Sequence, residues 1–154
     1  MTRPIVQEDI ECIFKIVGND LNRLQGKRVL ITGGTGFIGT WLLETISWLN
    51  KNSNQPCRVY VPTRNPEAFA RKALHLASNP GIVLLPADIT DFKYPDDKCD
   101  FIIHAAAPES EERAEYWKWP YKKISKVFYL SVPGQYIECS RLIWREFLRI
   151  ILAP

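Results

Sequence analysis

A doubly wound α/β fold, with a parallel sheet of about four strands flanked by helices, is what this 154-residue sequence predicts. Three observations carry the expectation. Short aliphatic runs alternate with helical patterns through the first two thirds of the chain, as successive strand–helix–strand units require. The run Val29 to Ile31 suits a strand buried on both faces and leads into a turn punctuated by Gly33, Gly36 and Gly39. Beyond Pro108 the pattern changes, and residues 109–154 form an atypical tail.

The elements follow in order. Ile5, Ile10, Ile13, Phe14, Val17, Leu21 and Leu24 recur at helical spacing and Gly26 closes the segment, so residues 1–26 form a helical extension packed on the sheet. After the first strand and its glycine turn, Thr40 to Leu49 reads as a helix burying Trp41, Leu42, Ile46 and Leu49, and Asn50 to Pro56 as a polar loop. Arg58 to Val61 is a second strand. Asn65 is suited to cap free helical amides and Pro66 to occupy the first helical position, so a helix should run on from Glu67 to Ala77 until Asn79-Pro-Gly81 stops it. Ile82 to Leu85 is a third strand and Asp100 to His104 a fourth. In the tail, Val127 to Leu130 can form a substitute strand, and Tyr136 to Leu152 has helical spacing.

The glycine turn has a mechanical explanation that points to an anion. Gly33 permits the tight turn off the strand end. Gly36 lets the backbone approach a pyrophosphate with no Cβ in the way, and Gly39 lets the next helix pack closely. That helix begins with free N–H groups and a partial positive charge directed at the ligand. A bare strand-to-helix corner would not need three spaced glycines, so a dinucleotide site is the expectation.

Composition narrows the partners. The formal net charge is +3 with basic residues scattered along the chain, which leaves no electrostatic footprint for nucleic acid. No signal peptide follows Met1, and no apolar run is long and glycine-free enough for a membrane span, so a cytoplasmic protein of one domain is expected. Cys12, Cys57, Cys99 and Cys139 are far apart and show no C-x-x-C spacing, which predicts reduced, packed thiols and no metal site.

Four motifs in order resemble one family. Thr32 to Gly39 reads T-G-G-T-G-F-I-G, Thr63-Arg64 ends the second strand, Asp88-Ile89-Thr90 follows the third, and His104 to Ala107 reads H-A-A-A. Residues 27–108 resemble the N-terminal half of an extended short-chain dehydrogenase/reductase, the group of nucleotide-sugar epimerases and 4,6-dehydratases. The resemblance implies a partial Rossmann fold that binds NAD(P). It places Gly33, Thr35, Gly36, Phe37, Ile38 and Gly39 at the pyrophosphate, with Phe37 and Ile38 packed beneath the loop and supplying amides. Asp88 and Ile89 would flank the adenine, the carboxylate accepting from its amine, although Asp88 also fits a turn or cap. Ala105 and Ala106 would let the cofactor lie against the fourth strand end. Where an acid would accept the 2′-hydroxyl of NAD, this chain has Thr63 followed by Arg64, which favours NADP unless Arg64 is a solvated charge. His104 reads as a hydrogen-bonded structural histidine, and His75 has no assigned role.

No catalytic residue is assigned. The family's Tyr-x-x-x-Lys pair, in which tyrosine acts as acid or base and lysine lowers its pKa, lies beyond the fourth strand. The one such spacing here, Tyr94 to Lys98, falls in a Pro-Asp loop before it. The chain therefore reads as truncated before the catalytic pair. The tail is either an edge-covering segment or an out-of-frame product. Shifted by one nucleotide, Gly134 to Ile151 can encode a string resembling the family's serine-bearing strand, which the coding DNA tests. Three functions stay open: the N-terminal part of a nucleotide-sugar epimerase/dehydratase, a non-catalytic NAD(P)-binding or redox-sensing module, and an inactive truncated product. Nucleotide-sugar would be the partner of a full-length relative, and the sequence fixes no oligomeric state.

Overall fold

The computed structural model describes residues 7–88, 99–106 and 127–129. Helix α1 (Gln7–Leu21) passes through a 3-10 turn (Asn22–Leu24) into β1 (Arg28–Thr32), followed by α2 (Phe37–Lys51), β2 (Arg58–Thr63), α3 (Pro66–Lys72) and α4 (Leu74–Ala77). Strands β3 (Ile82–Pro86), β4 (Phe101–His104) and β5 (Val127–Tyr129) complete one sheet in the order β3-β2-β1-β4-β5. Every neighbouring pair is parallel. The sheet has the four strands expected from the first two thirds of the chain and, at its edge, the substitute strand expected over 127–130. The added strand is the run Val127 to Tyr129, which pairs Ile102↔Val127 through His104↔Tyr129 on the outer side of β4.

Alternation along the strands sorts the core into two faces. Val29 and Ile31 of β1, Val59 and Val61 of β2 and Ile103 of β4 share one buried cluster with Ile10, Ile13, Leu42, Leu43, Ile46, Leu49, Phe69 and Leu76 of the helices. Leu30, Tyr60 and Ile102 face the other way, with Val83 and Leu85 of β3. Strand β1 is thus apolar on both sides because both sides are covered. Phe14 and Trp48 bring α1 onto α2, with ring centroids 4.1 Å apart at 45°. Gly26 takes φ +68° after the 3-10 turn, which releases the chain into β1.

Local chemistry moved several boundaries. Helix α2 starts at Phe37, three residues before the expected Thr40, because Gly39 is helical and serves close packing, not helix termination. It ends at Lys51, and Asn50 within it clamps the β2 entrance: its side chain accepts from the Cys57 N–H at 2.7 Å and donates to the Cys57 carbonyl at 2.8 Å. The expected cap at Asn65 forms, its Oδ1 accepting from the Ala68 N–H at 2.8 Å with Pro66 at the first helical turn. The helix it starts is not continuous to Ala77. Ala73 sits at φ −142°, ψ 65° and splits it into α3 and α4. The expected helix over 136–152 and the Tyr94–Lys98 loop lie outside the described residues.

Candidate functional site

The order of strands reverses at β1, since the chain moves outward through β2 and β3 and then returns to β4 on the other side. In an open parallel sheet that reversal leaves a crevice beyond the carboxyl ends of the two central strands, where ligands bind. The glycine turn occupies that place. Each glycine answers to a different contact. Gly33 has φ +69°, and a Cβ there would lie 2.6–2.7 Å from the Ala105–Ala106 backbone, so the turn is pressed against the end of β4. A Cβ on Gly39 would come within 2.3 Å of the Gly33 carbonyl oxygen and Gly34 Cα. It is the turn itself, more than the sheet, that Gly39 allows the helix to approach.

Gly36 differs from both. A Cβ there would meet only the Gly33 carbonyl oxygen, at 3.2 Å, and Gly36 is itself exposed. It is the N-cap of α2 and, having no side chain, offers no capping oxygen; its carbonyl accepts the first helical bond from the Thr40 N–H at 2.9 Å. The first amides of a 15-residue helix are therefore presented on the open side of the turn. Anionic groups are stabilised at such a terminus by hydrogen bonding and by the helix dipole together. Thr35 is half-buried in the turn and Ile38 packs partly against the core. Phe37 does not pack beneath the loop as expected. It is 73% exposed, because at the first position of α2 its side chain points away from the helix face that carries Leu42, Leu43 and Ile46.

The remaining candidates sit at the same edge of the sheet. Arg64 is exposed immediately after β2, Asp88 is exposed just after β3, and Ala105 and Ala106 are half-buried after β4. Ile89 lies outside the described residues. Thr63, in the place of the expected acid, is nearly buried; its Oγ1 accepts from the Asn65 N–H at 3.4 Å and its carbonyl accepts from the Ala87 N–H at 3.1 Å. Gly34 belongs to the turn as well, at a position that the three-residue glycine spacing does not mark. A Cβ on it would stand 2.7 Å from Val61 Cγ1, so the paired glycines in T-G-G-T were the available signal.

Beneath the turn, Thr32 and His104 form the last rung of the β1–β4 ladder, with Thr32 Oγ1 and His104 Nδ1 2.7 Å apart. Burial lowers the His104 pKa below its ordinary 6.5. The histidine is hydrogen-bonded, as expected. His75 pairs with Glu44 at 2.6 Å, joining α4 to α2 away from the turn. Cys12, Cys57 and Cys99 form no disulfide, and burial, aided by the Asp100 carboxylate, pushes Cys57 up to about 12. Among the described residues, no cluster of three or more His, Cys, Asp or Glu side chains could hold a metal ion, and no helix is long and apolar enough to cross a membrane.

No curated protein matches the chain. Among solved structures, the crystal structure of an Aureusimine biosynthetic cluster reductase domain matches with 23% identity and a TM-score of 0.41, covering 73% of this chain and 35% of that one. This chain thus spans about a third of that structure's length. A family model described as NAD dependent epimerase/dehydratase matches residues 29–118, from the first core residue of β1 to ten residues past the expected boundary at 108. Because that match covers more than half of the sequence and includes the whole glycine turn, the chain belongs to the NAD dependent epimerase/dehydratase family.

Proposed function

We propose that this chain holds the adenosine and pyrophosphate end of NADP, in preference to NAD, as the cofactor-binding part of a nucleotide-sugar epimerase/dehydratase-type protein. One observation carries the reading: at the strand-order reversal, the uncapped N-terminus of α2 is open on the side of Gly36 and closed by backbone on the sides of Gly33 and Gly39. That is the shape a pyrophosphate requires, close to amides and free of Cβ atoms. Phe37, Ile38 and Gly39 would give N–H groups to it, and Ala105 and Ala106 would leave room beside β4. Asp88 and Ile89 would take the adenine.

The preference for NADP rests on the end of β2. The Thr63 hydroxyl and the Asn65 amide oxygen each already accept a backbone N–H. Neither position carries a carboxylate for the 2′-hydroxyl of NAD, and exposed Arg64 stands between them to meet a 2′-phosphate. Cys12, Cys57 and Cys99, none of them in a disulfide, fit a reducing compartment, the cytoplasm.

When bound, the nicotinamide supplies reversible hydride exchange with a sugar carbon. For the proton transfer that must accompany it, no tyrosine after Ala107 has a lysine four residues later. A second reading is a module that binds NAD(P) without turnover and serves as a redox sensor. Fluorescence titration with NADPH and NADH tests the first reading. NADPH should bind more tightly, and Arg64→Ala should weaken NADPH about tenfold while leaving NADH nearly unchanged. Equal affinities in the natural chain would remove the NADP preference. Turnover of a nucleotide-sugar by the cofactor-bound chain would exclude the sensor.

A further inference from the structure

The β1–β2 ladder is in register from Arg28↔Arg58 only to Leu30↔Tyr60, whereas the β1–β4 ladder continues to Thr32↔His104. Pro62 near the end of β2 has no N–H with which to extend a ladder. The carboxyl end of β1, which carries the glycine turn, is therefore set from the β4 side. Two bonds do this: the Ala105 N–H donates to the Thr32 carbonyl at 3.0 Å, and the Thr32 hydroxyl meets His104 Nδ1 at 2.7 Å. Thr32 is 1% exposed, so its hydroxyl would be a buried unsatisfied group without the histidine. Gly33 follows directly, with no room for a Cβ against Ala105–Ala106. A shift of either strand end would displace the turn by the same amount.

We propose that Thr32 and His104 are positioning residues for the dinucleotide: their hydrogen bond latches the two central strand ends and so holds the glycine turn at the spacing that binding needs. The proposal rests on the dinucleotide reading of the site. Without the latch, the strand ends would have to be ordered on binding, and affinity would fall by the cost of that ordering. The fold should survive the loss, since the apolar faces of the sheet are untouched and one buried polar group is all that is left unpaired.

Two pairs of variants separate positioning from support of the sheet. Thr32→Val and His104→Phe keep the shapes and remove the bond. Thr32→Ser keeps the hydroxyl, and His104→Asn keeps a polar atom near the place of Nδ1. Each is titrated with NADPH and with adenosine 2′-monophosphate, which lacks the pyrophosphate, and melted by circular dichroism. We expect Thr32→Val and His104→Phe to fold and to bind NADPH about fivefold more weakly, the loss typical of one hydrogen bond. The double variant Thr32→Val/His104→Phe should be no weaker than either single one, and Thr32→Ser and His104→Asn should stay within about twofold of the natural chain. Affinity for adenosine 2′-monophosphate should not change. The latch is overturned if the bond-breaking variants bind NADPH like the natural chain, if both affinities fall together, or if both bond-breaking variants fail to fold. A natural chain that binds no NADPH at all would instead defeat the dinucleotide reading beneath it.

Discussion

Three glycines in one turn have three different reasons to be glycine, and substitution should tell them apart. Gly39→Ala places a methyl 2.3 Å from backbone that cannot yield. We expect a loss of about 3 kcal/mol, read as a fall in the thermal midpoint, with NADPH binding lost as the turn is pushed open. Gly36→Ala meets one carbonyl oxygen at 3.2 Å and should cost only about 1 kcal/mol. Its effect should appear in cofactor affinity, because the methyl fills the open side. His104 gives a pH dependence of definite sign. Its folded pKa lies below the ordinary 6.5, so the unfolded chain binds more protons as pH falls through that value, and stability is lost in that direction. Urea midpoints measured from pH 7.5 down to 5.5 should fall, and His104→Asn should remove its part of the slope.

Helices and strands were legible where a periodic apolar pattern met an identifiable start or stop. The Asn65-Pro66 start is written in two side chains, one accepting an amide at 2.8 Å and one needing no N–H of its own, and it formed as expected. Removing the cap with Asn65→Ala should cost about 1 kcal/mol in the unfolding free energy. The start of α2 was misplaced for the opposite reason. Gly36 is an N-cap with no side chain to announce it, and Gly39 lies inside the first turn of the helix that it lets pack closely. Nor does any residue near Ala73 announce the break between α3 and α4, where the backbone turns to φ −142°, ψ 65°. Phe37, expected beneath the loop from the family resemblance, is directed to solvent by its position at the head of the helix. Leu43, wholly buried between α2 and the sheet, should cost about 2–5 kcal/mol on truncation to alanine.

At the level of the molecule, the site is a product of strand order. Glycine spacing suggests an anion-binding turn, but only the β3-β2-β1-β4-β5 arrangement puts Gly33 against Ala105–Ala106 and brings Arg64 and Asp88 to the same edge. Those residues are separated in sequence by tens of positions, and their convergence could be inferred only through the family resemblance. The Thr32–His104 rung was less visible still. Each residue was plain in sequence, but the 2.7 Å contact depends on β1 and β4 being neighbours in this register. A pyrophosphate site at the glycine turn is tested most directly by calorimetric titration of the chain with NADPH and NADH, repeated on Gly36→Val. Saturable one-site heat with the natural chain, tighter for NADPH and abolished by Gly36→Val while the fold is retained, is the predicted result. No heat with either dinucleotide, or binding that survives Gly36→Val unchanged, would contradict a pyrophosphate site at the glycine turn.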